Sequence, residues 1–168
     1  MSTKHSLHKI DTHFEELSSG VSFMGKLVQS QLDRIVEALN QDQEIELISM
    51  DAVERQINDE EVRIDLACKA ALAKFTPTAS DLRFVLGVSK VVGHLERIAD
   101  EAMKIAEGTA DVKDRVQDLT ERSELLSSFL QLLCHCRDQL QASLNAFALN
   151  DAGVAQVVID SDAAIDAE

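Results

Sequence analysis

The chain has 168 residues, 45% of them hydrophobic, which is enough to bury the core of one medium domain or two small ones and excludes disorder throughout. One proline, six glycines and no tryptophan or tyrosine, with abundant Ala, Leu, Glu, Gln, Asp and Val, exclude a strand-rich fold in favour of long helices. A formal net charge of -14 repels a phosphate backbone over most of the surface, so nucleic acid is excluded as a partner and basic partners or cations are expected.

Phe14, Leu17, Val21, Met24, Val28, Leu32, Ile35 and Leu39 alternate steps of three and four, which predicts helix 1 over 6–40. A second seam of Met50, Val53, Ile57, Ile64, Ala67 and Ala71 predicts helix 2 over 43–74, interrupted only by Glu60. Pro77 stops it, because proline lacks the donor a helix interior needs and restricts the residue before it. Thr78 with Asp81 three residues on reads as an N-cap with an acid in the first turn, where the helix dipole favours negative charge. Helix 3 starts there, carries Val85, Val88, Val92, Leu95, Ala99, Ala102 and Ala106, and is expected to end at Gly108. Leu126, Phe129, Leu133, Cys136, Leu140, Leu144 and Phe147 mark helix 4 over 112–149, and helix 5 starts near Asp151.

An Asn/Asp turn near Asp42 recurs near Asp151, and Glu54-x-x-Ile57-Asn58 recurs as Asp162-x-x-Ile165-Asp166. Two tandem three-helix units are therefore expected, 1–109 and an incomplete second unit at 110–168 that lacks its last helix. Helices 4 and 5 alone cannot enclose the stripe from Leu126 to Phe147, so either self-association through them, as a homodimer or higher oligomer, or a longer natural chain of which this is a fragment is expected. The segment from Met1 to Leu17 is polar, no apolar run reaches spanning length, and three cysteines form no disulfide framework. A soluble cytoplasmic protein is expected.

Glu54 with Asn58, and Glu96 with Asp100, are each four residues apart, so each pair projects from one helix face about 6 Å apart. In a hairpin folded about Pro77, residues equally far from the proline lie level. Glu54 and Asp100 are equidistant from it in the chain, and so are Asn58 and Glu96. Each pair also follows its seam residues by one, so the pairs hold equivalent flanking positions that meet on one side. Three carboxylates and an amide oxygen brought together repel one another unless protonated or bridged by a cation. All-oxygen ligation suits Mg²⁺, Ca²⁺, Mn²⁺ or iron. Equally open at this level is that the groups diverge into water beside Arg55 and Arg97, as acidic helix faces commonly do.

Other motifs carry less. Gly20-Val-Ser-Phe-Met-Gly25-Lys26-Leu27 falls one residue short of a phosphate-binding loop, with Leu27 replacing the hydroxyl and no strand before it. In Cys134-His135-Cys136 successive residues turn by about 100°, so Cys136 is expected in the seam and the others away from it. His94 faces away from Glu96, and no Glu-x-x-His pair exists to suggest a di-iron oxidase.

Thr76-Pro77-Thr78-Ala79-Ser80-Asp81-Leu82-Arg83 and Leu95-Glu96-Arg97-Ile98-Ala99-Asp100 resemble the Pro-x-Ala-Ser-Asp-Leu-Arg turn and Glu-Arg-Ile-Gly-Asp segment of the PhoU family of phosphate-uptake regulators, with Met24-Gly25 a further likeness. The resemblance implies two tandem three-helix bundles whose Glu/Asp-x-x-x-Asp motifs hold clustered metal ions: iron, zinc, manganese or magnesium. By it Glu54, Asn58, Glu96 and Asp100 form the first site, and Asp162 with Asp166 is half of a second. It further implies a negative regulator of phosphate uptake and phosphate-regulon signalling. Such a protein is an adaptor rather than an enzyme, between the ATPase subunit of the phosphate transporter and a sensor histidine kinase, and reaches the membrane only through those partners. Ala99 stands where the family usually has glycine, which adds a methyl at the seam and spares the ligands. The contrasting reading is a metal-dependent helical-bundle hydrolase using the same carboxylates.

Overall fold

The computed structural model describes the backbone of residues 2–75, 77–115 and 119–165, and the side-chain surroundings of 12–75, 77–109 and 123–161. Five helices follow in order: α1 (Ser2–Asn40), α2 (Leu47–Lys74), α3 (Ala79–Arg115), α4 (Leu119–Leu149) and α5 (Ala152–Ile165). The class is all-α, with no strand among the described residues.

The first three helices pack on one another along the seams read from the sequence. Leu17, Val21, Met24, Val28 and Ile35 of α1 meet Met50, Ile57 and Ile64 of α2 and Val88, Leu95, Ala99 and Ala102 of α3 in one buried cluster. Each large member stabilises the fold by about 1.5–3 kcal/mol through removal of its apolar surface from water. Named contacts set the registers. Arg34 donates to Ser49 and Gln31 to Glu54, while Gly20 lies against Arg63 and Ile64, so α1 and α2 run antiparallel. The Cys68 thiol lies 3.9 Å from the Val85 carbonyl oxygen near the hairpin turn, and Glu96 feels the charges of Glu61 and Glu54 farther from it, so α2 and α3 are antiparallel too. Helices α1 and α3 are consequently parallel, with Phe14 on Phe84 at a ring separation of 4.9 Å.

Helix α3 starts as its sequence dictates: Asp81 Oδ2 accepts from the Thr78 backbone N–H at 2.9 Å, and Thr78 Oγ1 faces the Asp81 N–H at 3.4 Å. It does not end where expected. Gly108 is passed without a left-handed turn, because Thr109 is buried and bonds back to the Ala106 carbonyl, and the helix runs on to Arg115. Helix α2 starts later than expected, at Leu47, and the described part of α4 begins at Leu119.

The turns after α1 and α4 are the same object. Asp42 (φ 48°) and Asn150 (φ 50°) are left-handed residues of the type that closes a helix, and both side chains tolerate that region. The Gln43 N–H bonds to the Ala38 carbonyl and the Asp151 N–H to the Ala146 carbonyl; the Asp42 and Asn150 N–H groups bond to Leu39 and Phe147. Every partner in the second set follows its counterpart in the first by the same interval along the chain.

Helix α4 lies lengthwise and antiparallel on α1, through Gly25 with Leu144, Gln29 with Gln141, and Asp33 with Arg137. Its Leu133 and Leu140 join the cluster formed by the first three helices, so α1 covers part of the stripe expected to need a cover. One seam position is corrected. Cys136 is exposed, whereas Cys134 is half-buried against the core, because the face of α4 that meets α1 passes through Leu133, Arg137, Leu140 and Leu144 in steps of three and four. Helix α5 packs on α4.

Candidate functional site

At about the middle of the bundle a polar pair interrupts the α1–α2 seam. Gln31 follows Val28 by one helical step and is fully buried, 0% exposed. Its Nε2 donates to Glu54 Oε2 at 2.9 Å across the interface. The two remaining oxygens, Gln31 Oε1 and Glu54 Oε1, are both buried and both lack a hydrogen-bond donor. A buried acceptor left without a donor costs about 1–3 kcal/mol, so two together are unusual in a packed seam.

Glu54 is half-buried, and Asn58 and Glu61 follow it on the same face of α2 at steps of four and three. Glu96, half-buried on α3, stands beside that stretch. Its carboxyl is held above the ordinary range first by desolvation, then by the negative charges of Asp100, Glu61 and Glu54, while Lys104 opposes them. Asp100 and Asn58 are exposed at the rim. Among the described residues neither Arg55 nor Arg97 forms an ion pair with these acids. Lys104 is engaged by Glu101 at 2.9 Å.

No three His, Cys, Asp or Glu side chains among the described residues are drawn together closely enough to hold a metal ion as they stand. Carboxylates without a counter-charge repel and stand apart. The donor set nevertheless fits a hard cation, since it is all oxygen, carries surplus negative charge, and includes two buried oxygens that lack a positive partner. Asp162 falls in α5 with its side chain outside the described residues, and Asp166 lies outside them altogether.

Two members of this constellation escape a search for acid pairs at a spacing of four. Glu61 lies one heptad after Glu54, and the run Glu54, Asn58, Glu61 is the signal that identifies it. Gln31 is betrayed by being a polar residue at a seam position, three after Val28 and four before Ile35. His94 is exposed, as are His135 and Cys136. The glycines of the phosphate-loop look-alike lie inside α1, where Gly20 and Gly25 let Arg63 and Leu144 approach the helix backbone.

Comparison with known proteins bears on the same segment. Residues 21–109 match the family model of the PhoU domain. The chain is 36% identical over 170 residues to the phosphate-specific transport system accessory protein PhoU homolog of Pseudomonas putida, covering 99% of this chain and 63% of that protein. It is 32% identical to the homolog from Pseudomonas aeruginosa, covering 99% of this chain and 67% of that one. With the phosphate-specific transport system accessory protein PhoU of Escherichia coli strain K12 the identity is 33%, over 98% of this chain and 66% of the relative. The chain thus spans about two thirds of the length of these relatives. No solved structure matches it significantly. The family match takes in more than half of the chain, including the polar constellation on α1, α2 and α3, and the similarity to named members runs through nearly all of it: the chain belongs to the PhoU family.

Proposed function

We propose that this protein acts in the negative regulation of phosphate uptake as a non-catalytic adaptor, whose helical surfaces meet the ATPase subunit of a phosphate transporter and a sensor histidine kinase. The observation that carries this reading is its similarity, over nearly the whole chain, to proteins named as accessory to the phosphate-specific transport system. Among the described residues no helix is long and apolar enough to cross a membrane.

A cation site is the structural or regulatory element of this reading. Glu54, Glu96 and Asp100 would hold the ion, with Asn58 and Glu61 beside them, and Asp162 with Asp166 would take the corresponding places in the second unit. A bound iron, zinc, manganese or magnesium ion supplies positive charge that draws the carboxylates of α2 and α3 together. Self-association through α4 and α5 belongs to the same reading, since Leu149, Val157 and Ile159 are exposed there.

The decisive experiment immobilises the full chain and offers purified transporter ATPase subunit, purified sensor kinase and an unrelated transporter ATPase in separate lanes. Retention of either of the first two without the third is the expected result. Equal retention of all three, or of none, would overturn the adaptor reading. Light scattering over a concentration series reports the self-association independently.

A further inference from the structure

We infer that Gln31 contributes its side-chain oxygen from α1 to a hard divalent cation held by Glu54, Glu96 and Asp100, so that the site joins all three helices of the bundle rather than the α2–α3 hairpin alone. This rests on the cation reading above and adds to it a ligand, a third helix and a preference among metals.

Gln31 is fully buried and donates one N–H to Glu54 Oε2. That leaves its carbonyl oxygen and the second oxygen of Glu54, both buried, on two groups already in contact, and no donor reaches either. Two buried acceptors on contacting groups call for a positive partner, and a cation reaching both would satisfy them at once. The amide N–H bond to Glu54 is of the kind that fixes the orientation of a metal-ligating carboxylate.

Register supports the same arrangement. The contacts of Arg34 with Ser49 and of Gly20 with Arg63 place Gln31 within about half a turn of the level of Glu54 on α2. Phe14 on Phe84, carried along two parallel helices at equal rise, places Gln31 level with Glu101, next to Asp100. The sequence repeats the combination. At the same chain offset that relates the Asp42 and Asn150 turns, Gln31-Leu32 recurs as Gln139-Leu140, and Glu54 recurs as Asp162. The separation from glutamine to acid is thus identical in the two units. At the first of these positions the glutamine is fully buried where Leu or Ile would pack better, so its polar atoms need partners there.

The donor set is carboxylate and amide oxygen, with no sulfur and no imidazole. It suits Mg²⁺, Ca²⁺, Mn²⁺ or iron better than zinc, which favours Cys and His in stable sites.

Manganese is the probe, because free Mn²⁺ is counted directly by electron paramagnetic resonance. The metal-free wild-type chain, Gln31→Met, Gln31→Glu and Glu54→Ala are titrated with Mn²⁺, with helicity checked by circular dichroism and thermal midpoints recorded with and without the ion. The wild type is expected to bind and to melt higher with Mn²⁺. Gln31→Met, which keeps the volume and removes the oxygen, is expected to bind at least about tenfold more weakly and to lose the midpoint shift, whereas Gln31→Glu restores binding. Wild-type affinity in folded Gln31→Met means that water completes the two oxygens, and overturns the inference while leaving the site itself intact. Loss of binding in Gln31→Glu assigns Gln31 only its N–H bond to Glu54 and also overturns it, a result that decides the matter even if Gln31→Met does not fold. Absence of Mn²⁺ binding in the wild type overturns the cation reading and this inference together.

Discussion

Gly25 of α1 lies directly under Leu144 of α4: a Cβ built on the glycine would stand 2.5 Å from Leu144 Cδ2 and 2.7 Å from Cδ1. The notch lets α4 lie close along α1, with Gln29 bonded to Gln141 on one side and Leu140 buried on the other. Gly25→Ala forces Leu144 out of its place or lifts the helix. The clash falls on the end of a half-buried side chain, and alanine gains about 1 kcal/mol of helix propensity over glycine, so the expected net loss is about 0–2 kcal/mol. Chemical denaturation of Gly25→Ala, Leu144→Ala and the double variant checks it. The double variant should be no less stable than Leu144→Ala alone, and additive losses would show that the two residues do not press on each other.

The Glu60 carboxylate sits in the α2 seam between Ile57 and Ile64, where a hydrophobic residue would pack, and is covered by Arg63, whose Nε donates to it at 2.8 Å. The Arg63 guanidinium lies across α1 at Gly20, half in water. Removing one partner is therefore expected to differ from removing the charge. Arg63→Met should cost about 1 kcal/mol, moderated by solvent at the guanidinium. Glu60→Leu should be neutral or stabilising, because it exchanges a desolvated charge for an apolar side chain at an apolar position. Equal losses from both variants, measured by urea midpoint, would count against this account.

The start of α3 depends on a local exchange between Thr78 and Asp81. Thr78→Ala should cost about 1 kcal/mol, and Thr78→Ser much less, because serine keeps the capping oxygen. Thermal melts of the two variants beside wild type test this, and an alanine variant as stable as the serine one would refute it.

Glu96 is the group whose ionisation opposes folding. Its folded carboxyl sits above the ordinary value of 4.5 through desolvation, Asp100, Glu61 and Glu54, so the folded chain holds that proton more tightly than the unfolded chain. The contribution to stability is therefore most favourable below the ordinary value and is lost as pH rises from there through the folded value. In metal-free protein Glu96→Gln should raise the thermal midpoint at neutral pH, with an advantage that disappears in the acid range. A gap independent of pH would mean that the substitution acts through packing.

Much of this molecule was legible without coordinates wherever the cause is local. The Thr78 and Asp81 cap, the stop at Pro77, the seam residues from Leu17 to Ala106 and the repeated turn at Asp42 and Asn150 each follow from groups a few residues apart, whose geometry is set by helix rise and backbone sterics. Local periodicity also indicated that Glu54, Asn58, Glu96 and Asp100 belong to corresponding faces of one hairpin. What only the tertiary structure decided is which polar groups lose water. The sequence marks Gln31 as a polar residue at a seam position, but only the closing of α2 over it leaves two buried oxygens without a donor. Glu61 shares a helix face with Glu54 in the sequence, but only the packing of α3 places Glu96 within its field. The docking of α4, the continuation of α3 past Gly108 and the exposure of Cys136 belong to the same class. Desolvation and close packing depend on residues distant in the chain, and no local pattern records which of them will meet.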